Sequence, residues 1–231
     1  MAATFHAKAI IEISGGTTNT IALTISAGDS IVVVGAYEVT GVTPTFKITD
    51  NTSIPIIVGP TTDLQGMEKF GVWLLQSAGS GNSDITVTFS SSVSYAGFYA
   101  WSFSGLPNPV LDKSAEGLTD PTTATLTSAD EFAVEFSVSN GTITAIGAPW
   151  TSDGISPFNL WGGGHQVVTA TTALTSNFTG DSDDWVFTFK SGVTDTNIIS
   201  PQGNLALDKK IAINHVVNPA TSIPIFLYPP P

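Results

Sequence analysis

Apolar and polar residues alternate with a period of two along much of the chain. From Phe5 to Ile13, Phe5, Ala7, Ala9, Ile11 and Ile13 share one side, with His6, Lys8 and Glu12 on the other. Such alternation places successive side chains on opposite faces of a strand, one buried and one wet. Ile85, Val87 and Phe89 alternate with Thr86 and Thr88, and Tyr99, Trp101 and Phe103 with Ala100 and Ser102. Hydroxyls and aromatics are therefore expected on opposite faces of half-buried strands. The segment SIVVVGAY, Ser30 to Tyr37, is apolar on both faces. It predicts a central strand covered on each side.

Turn signals separate these runs at the 8–12-residue spacing of a sandwich or barrel. They are SGG at Ser14, SAGD at Ser26, SAGSGNSD at Ser77 and GLPNP at Gly105. Asn140-Gly141, between FAVEFSVS and TITAIG, predicts a tight two-residue hairpin. MEKFGVWLLQ, Met67 to Gln76, is the best helical candidate, although no segment reads as a convincing helix. The pattern predicts an all-β, antiparallel β-sandwich.

The two halves echo each other. TTNTIALTISAGDSIVVVGAY at Thr17 is similar to TTATLTSADEFAVEFSV at Thr122, and DITVTF at Asp84 to DWVFTF at Asp184. Tandem small domains and two halves of one sandwich both fit. No longer linker separates the halves, which favours one sandwich over residues 1–200, with halves of about 1–110 and 111–200. Residues 201–231 then form a C-terminal arm. There Ile223, Ile225, Phe226, Leu227 and Tyr228 make an apolar run closed by three prolines. Such an arm is expected to dock on its own sandwich or on a neighbouring copy.

The order GVWLL, GNSDITVTFSSSVSYAGFYAWSFSGL, TATLTSADEFAVEF, APWTS, GHQVVTATTAL and WVFTFKSG resembles jelly-roll β-sandwich modules. Such modules occur in bacterial surface proteins and phage virion proteins. The likeness covers roughly Thr17 to Gly192 and implies a jelly-roll-like sandwich. Where family members often carry a Gly-Asn turn, Asp50-Asn51 here runs into TSIPII, and no functional residue is carried over.

Charge narrows the list of partners. The net charge is −12, all seven cations are Lys, and there is no Arg. Nucleic acid and an anionic membrane surface are unexpected partners, because both are gripped by clustered cations. There is no Cys, so disulfides and thiolate metal sites are excluded. The start MAATFHAKAIIEIS lacks a basic stretch followed by an apolar one. No signal peptide is expected, and synthesis in a host cytoplasm is.

Catalytic signatures are absent from the spacing. Glu131 and Glu135 on one strand lie about 13 Å apart, too far for a glycosidase pair. They read as solvated strand charges. Asp181, Asp183 and Asp184 in GDSDDW read as a hairpin tip, since the EF-hand pattern is missing. His6, His165 and His215 are scattered, and no Ser/His/Asp set is suggested. Trp101 and Trp185 read as core. Trp150 and Trp161 sit beside loops and, with His165 and the Gly162–Gly164 stretch, are the candidate ligand surface. No cofactor or metal is expected. The chain is expected to be a non-enzymatic virion protein, most plausibly a phage capsid decoration or cement protein. Its partners would be itself and a major capsid or other virion protein. A carbohydrate-binding or adhesive module of a phage tail fibre or bacterial surface, with glycans as partners, is the alternative. A hydrolase on the same scaffold is a third reading.

Overall fold

The computed structural model describes residues 2–38, 44–48, 54–62, 68–76, 81–139, 142–156, 160–180 and 182–192. The arm residues Ile223, Ile225, Phe226, Leu227 and Tyr228 lie outside these, as do Asn140 and Gly141. The protein is all-β and its strand pairings are antiparallel. One five-stranded sheet holds β1 (Thr4–Ile13), β3 (Ser30–Glu38), β5 (Ile56–Thr62), β6 (Glu68–Leu75) and β8 (Ala96–Ser104). Their order is β1-β8-β3-β6-β5. A second holds β9 (Val110–Gly117), β10 (Glu131–Ser139), β12 (Thr151–Ile155), β13 (Trp161–Val168) and β15 (Ser182–Lys190), in the order β9-β15-β10-β13-β12. A smaller sheet has the order β2-β7-β4, from β2 (Thr18–Ile25), β4 (Pro44–Ile48) and β7 (Gly81–Phe89). The short strands β11 (Ala145–Ile146) and β14 (Phe178–Thr179) pair with each other. MEKFGVWLLQ therefore contributes a strand, β6, where strand pairing on both sides overrides its helical spacing.

The first five-stranded sheet is covered on both faces. Ile31, Val33, Trp73, Phe98 and Ala100 pack with Ile21, Leu23, Phe46, Ile85, Val87 and Phe89 of the three-stranded sheet. On the other face, Val32, Val34, Phe70, Tyr99, Trp101 and Phe103 meet Phe132, Val134, Phe136, Trp161, Trp185 and Phe187 of the second sheet. Phe70 stacks on Trp185 with ring centroids 4.2 Å apart, and Phe103 on Phe132 at 4.4 Å. Each buried side chain of this size contributes about 1.5–3 kcal/mol. SIVVVGAY is thus a central strand. The half-buried expectation fails for β8, which is buried on both faces. There Ser102 is satisfied by donating to the Thr24 carbonyl at 3.3 Å.

The two five-stranded sheets share one topology. In each, the second strand of the order pairs a phenylalanine with the start of the third: Ser30 with Phe103, Phe132 with Phe189. The edge strands β1 and β9 carry a bulge at the same place. His6 is extra opposite Ser102 and Phe103, and Asp112 is extra opposite Thr188 and Phe189. This bulge also turns Phe5 into the core between the two large sheets, while Ala7, Ala9 and Ile11 pack toward the small sheet. The matching turns before β3 and β10 close alike. Ser26 N–H donates to Asp29 Oδ2 at 2.9 Å, and Ser128 N–H to Glu131 Oε1 at 3.2 Å.

Two expected pairings do not form. DWVFTF lies in β15, whose counterpart is β8, whereas DITVTF lies in β7 of the small sheet. The strand before Asn140-Gly141 pairs with β13 and β15 rather than with the segment that follows it. Both edges of β10 are taken by these distant strands, and its aromatic face packs on the first large sheet.

Candidate functional site

The residues expected to form a ligand surface are buried. Trp161 lies in the core between the large sheets, stacked on Tyr95 with centroids 4.6 Å apart. Its ring fills the space where a Gly97 side chain would stand. Trp150 packs in a third cluster, with Ala133 and Val186, on the outer face of the second sheet. Its Nε1–H donates to the Thr175 carbonyl at 2.8 Å. The glycines of WGGGHQ admit neighbours rather than a ligand: a Cβ on Gly163 would meet the Tyr99 ring, and one on Gly162 the Phe178 ring. Trp150 and Trp161 therefore offer no stacking platform.

His165 is buried in a polar junction. Its ring stacks on Phe5 at 3.9 Å, and Nδ1 lies 2.7 Å from Asp153 Oδ2. The same carboxylate accepts from Trp101 Nε1–H at 2.6 Å, and its Oδ1 pairs with Lys8 Nζ at 3.0 Å. Tyr99 adds its hydroxyl to the Gly154 carbonyl at 3.1 Å. Burial, with the nearby Glu12 and Asp153 charges, pushes the Tyr99 phenol well above its ordinary range. Lys8, Trp101, Asp153 and His165 come from β1, β8, β12 and β13, so this junction clamps one large sheet to the other.

The carboxylates read as solvated are buried too. Glu131 and Glu135 lie on the outer face of the second sheet, with Asp183 and Asp184 also buried on β15; Asp181 lies outside the described residues. Burial pushes the Glu135 carboxyl up to about 8 and Asp184 to about 6. Asn177 N–H donates to Glu135 Oε2 at 3.1 Å. Ser137 and Ser182 hydroxyls donate to Asp184 Oδ1 at 2.6 and 2.8 Å. Burial also raises Glu131. Its neighbour Asp112 goes the other way. Burial alone would raise that carboxyl, but hydrogen bonds from Lys190 and Thr127 outweigh it and hold it well below the carboxylate range. Among the described residues, no group of three or more His, Asp or Glu side chains is placed to hold a metal ion.

One constellation unites residues that spacing kept apart. The Ser104 hydroxyl, at the end of β8, lies 3.2 Å from His6 Nε2. His6 Nδ1 lies 2.8 Å from Oδ1 of Asp29, which is fully buried. Three local features assemble it. The β1 bulge aims His6, the SAGD turn fixes Asp29, and Ser104 precedes Gly105 at φ +87°. A Cβ at Gly105 would strike the Ala2 carbonyl, so the chain needs glycine there. Beside Ser104 opens a cleft of about 550 Å³, lined by Ala2, Thr4, Gly28, Leu106 and Pro107. Ser104 and His6 are 98 residues apart, and no motif in the sequence links them.

No protein-family model, no curated protein and no solved structure matches this chain.

Proposed function

We propose that the chain is a structural virion protein of the capsid-decoration type, built from two jelly-roll repeats and acting by assembly. The observation that carries this reading is where the binding chemistry goes. Trp73, Trp101, Trp150, Trp161, Trp185, Glu131, Glu135 and His165 are all buried within the stacked sheets. The alternative, a glycan-binding module, would have to use side chains other than Trp150 and Trp161. Strand order supports the jelly-roll part. β1-β8-β3-β6 faces β2-β7-β4, so the chain passes back and forth between two sheets. β9-β15-β10-β13 repeats the first order, with β11, β14 and the Thr122–Thr175 bridge in place of the small sheet.

Assembly would use β1, β5, β9 and β12, the outermost strands among the described residues, each with one edge outside its own ladder there. The low charge and Thr-rich composition favour close approach of neighbours over mutual repulsion. The test is light scattering across a concentration series, followed by cosedimentation with virus particles. Multimers that bind a capsid are expected. A chain that stays monomeric when concentrated and sediments with no particle overturns the proposal.

A further inference from the structure

We propose that Ser104, His6 and Asp29 form a nucleophilic site that cleaves small, uncharged carboxylic esters, an activity beyond assembly and independent of it. The order of contacts fixes the roles. Asp29 Oδ1, buried and without a hydrogen-bond partner of its own, lies 2.8 Å from His6 Nδ1; with the ring proton on Nδ1, the lone pair of Nε2 faces the Ser104 hydroxyl. That is the arrangement in which a histidine takes a serine proton while a buried carboxylate holds the ring in orientation. Ser104 and His6 are the catalytic residues, and Asp29 is the positioning residue.

The cleft supplies the substrate class. Ala2, Thr4, Gly28, Leu106 and Pro107 bring no charged side chain to its wall. A chain of net charge −12 disfavours anionic esters further. In the reaction, Ser104 Oγ adds to the ester carbonyl carbon as its proton passes to His6 Nε2. The carbon–oxygen bond to the alcohol then breaks, and the departing alkoxide takes that proton. Water adds to the acyl-serine, giving its proton to His6 Nε2. The acid leaves as Ser104 Oγ takes the proton back. Every atom and proton is accounted for, and no oxidant or cofactor enters.

The second repeat shows how the same framework looks without a nucleophile. Register places Lys190 where Ser104 stands, Asp112 where His6 stands and Glu131 where Asp29 stands. There, Lys190 Nζ pairs with Asp112 Oδ1 at 2.6 Å, an ion pair that closes the bulge. Closing the bulge therefore does not require a serine–histidine pair.

The test treats the full chain with a fluorophosphonate probe and, separately, with p-nitrophenyl acetate. One adduct per chain is expected by intact-mass spectrometry, on the peptide holding Ser104. Ser104→Ala should abolish it and slow ester cleavage by about 100-fold or more. His6→Gln should suppress labelling while Ser104 is still present, with circular dichroism showing both variants folded. Ser104→Ala removes one oxygen from a strand end, so it keeps the test decisive if His6→Gln does not fold. No adduct, an adduct elsewhere, or labelling unchanged in a folded His6→Gln protein overturns the proposal.

Discussion

On the face of β3 toward the three-stranded sheet stand Ile31 and Val33; at the matching places on β10 stand Ala133 and Glu135. The neighbours differ in the same sense. Phe98 of β8 corresponds to Asp184 of β15, and Trp73 of β6 to Gly164 of β13. The first repeat closes this face with three full strands and an apolar core. The second closes it with the short β11–β14 pair, loop segments and a small cluster around Trp150. One strand order thus supports two interiors. It requires filled space, not greasy side chains: Gly164 leaves room for the Glu135 carboxyl, which accepts from Asn177 N–H and which burial pushes up to about 8.

The sharpest way to break this comparison is to exchange the interiors. Val33→Glu would put a carboxyl among Ile31, Trp73 and Phe98 without the partners that Asn177 and its neighbours give Glu135. A loss on the order of 5 kcal/mol is expected, enough to unfold a domain of ordinary stability. Urea denaturation measures it. A loss below 1 kcal/mol would show that the first repeat tolerates the second repeat's chemistry.

Next in size is the pH dependence that the second interior creates. In the unfolded chain Glu135 loses its proton in the ordinary glutamate range, but in the native state it holds the proton up to about 8. The native state binds more protons between these values, so this contribution is full at low pH and is lost as pH rises toward and past 8. The difference is on the order of 4 kcal/mol. Asp184 acts with the same sign up to about 6. Asp112, held low, acts with the opposite sign in acid. Denaturation midpoints should therefore fall from pH 5 to pH 9, and Glu135→Gln should flatten most of that slope. An unchanged slope in the variant would assign the dependence to other groups.

The junction between the repeats comes third. Asp153→Ala removes the acceptor that Trp101 and His165 share and leaves Lys8 the Ser152 carbonyl, 3.4 Å away, in place of a carboxylate. A cost of about 3 kcal/mol is expected, because two buried donors lose their bonds together. Intrinsic Trp fluorescence and urea midpoints would report it. If the loss stays below 1 kcal/mol, the aromatic stack alone holds the large sheets together.

These cases show where the sequence was readable. Alternation located β1, β7 and β8, and the two-faced apolar run of β3 marked a central strand, because burial acts directly on residue pattern. Glu135 was misread because its cover arrives from residues 145–146 and 174–179, and its space comes from a missing side chain at Gly164. Trp150 and Trp161 looked loop-borne because nothing local reveals that Thr175 or Tyr95 will lie against them. The halves were visible as an echo, yet the register of β15 on β8 was not, since alternating Phe and Thr match several strands equally well. The meeting of Ser104 with His6 depends on one bulge, and bulges leave almost no trace in hydrophobic patterning.

The smallest effect separates the two bulges themselves. At Asp112 the carboxylate is buried and held by Lys190 Nζ and by Thr127 N–H at 2.8 Å. At His6 the ring is partly exposed, and Asp29 keeps its bond from Ser26 when the ring is removed. Lys190→Met therefore withdraws the cation from a buried acid and should cost about 1–2 kcal/mol. His6→Gln should cost under 1 kcal/mol, since a glutamine amide can still donate toward Asp29. Paired urea titrations at pH 7 decide between them. Equal losses would mean that the bulge geometry, and not its charge, sets the stability of both edges, whereas a larger loss at Lys190 ties the second repeat's edge to its ion pair and leaves the first repeat's histidine free for proton transfer.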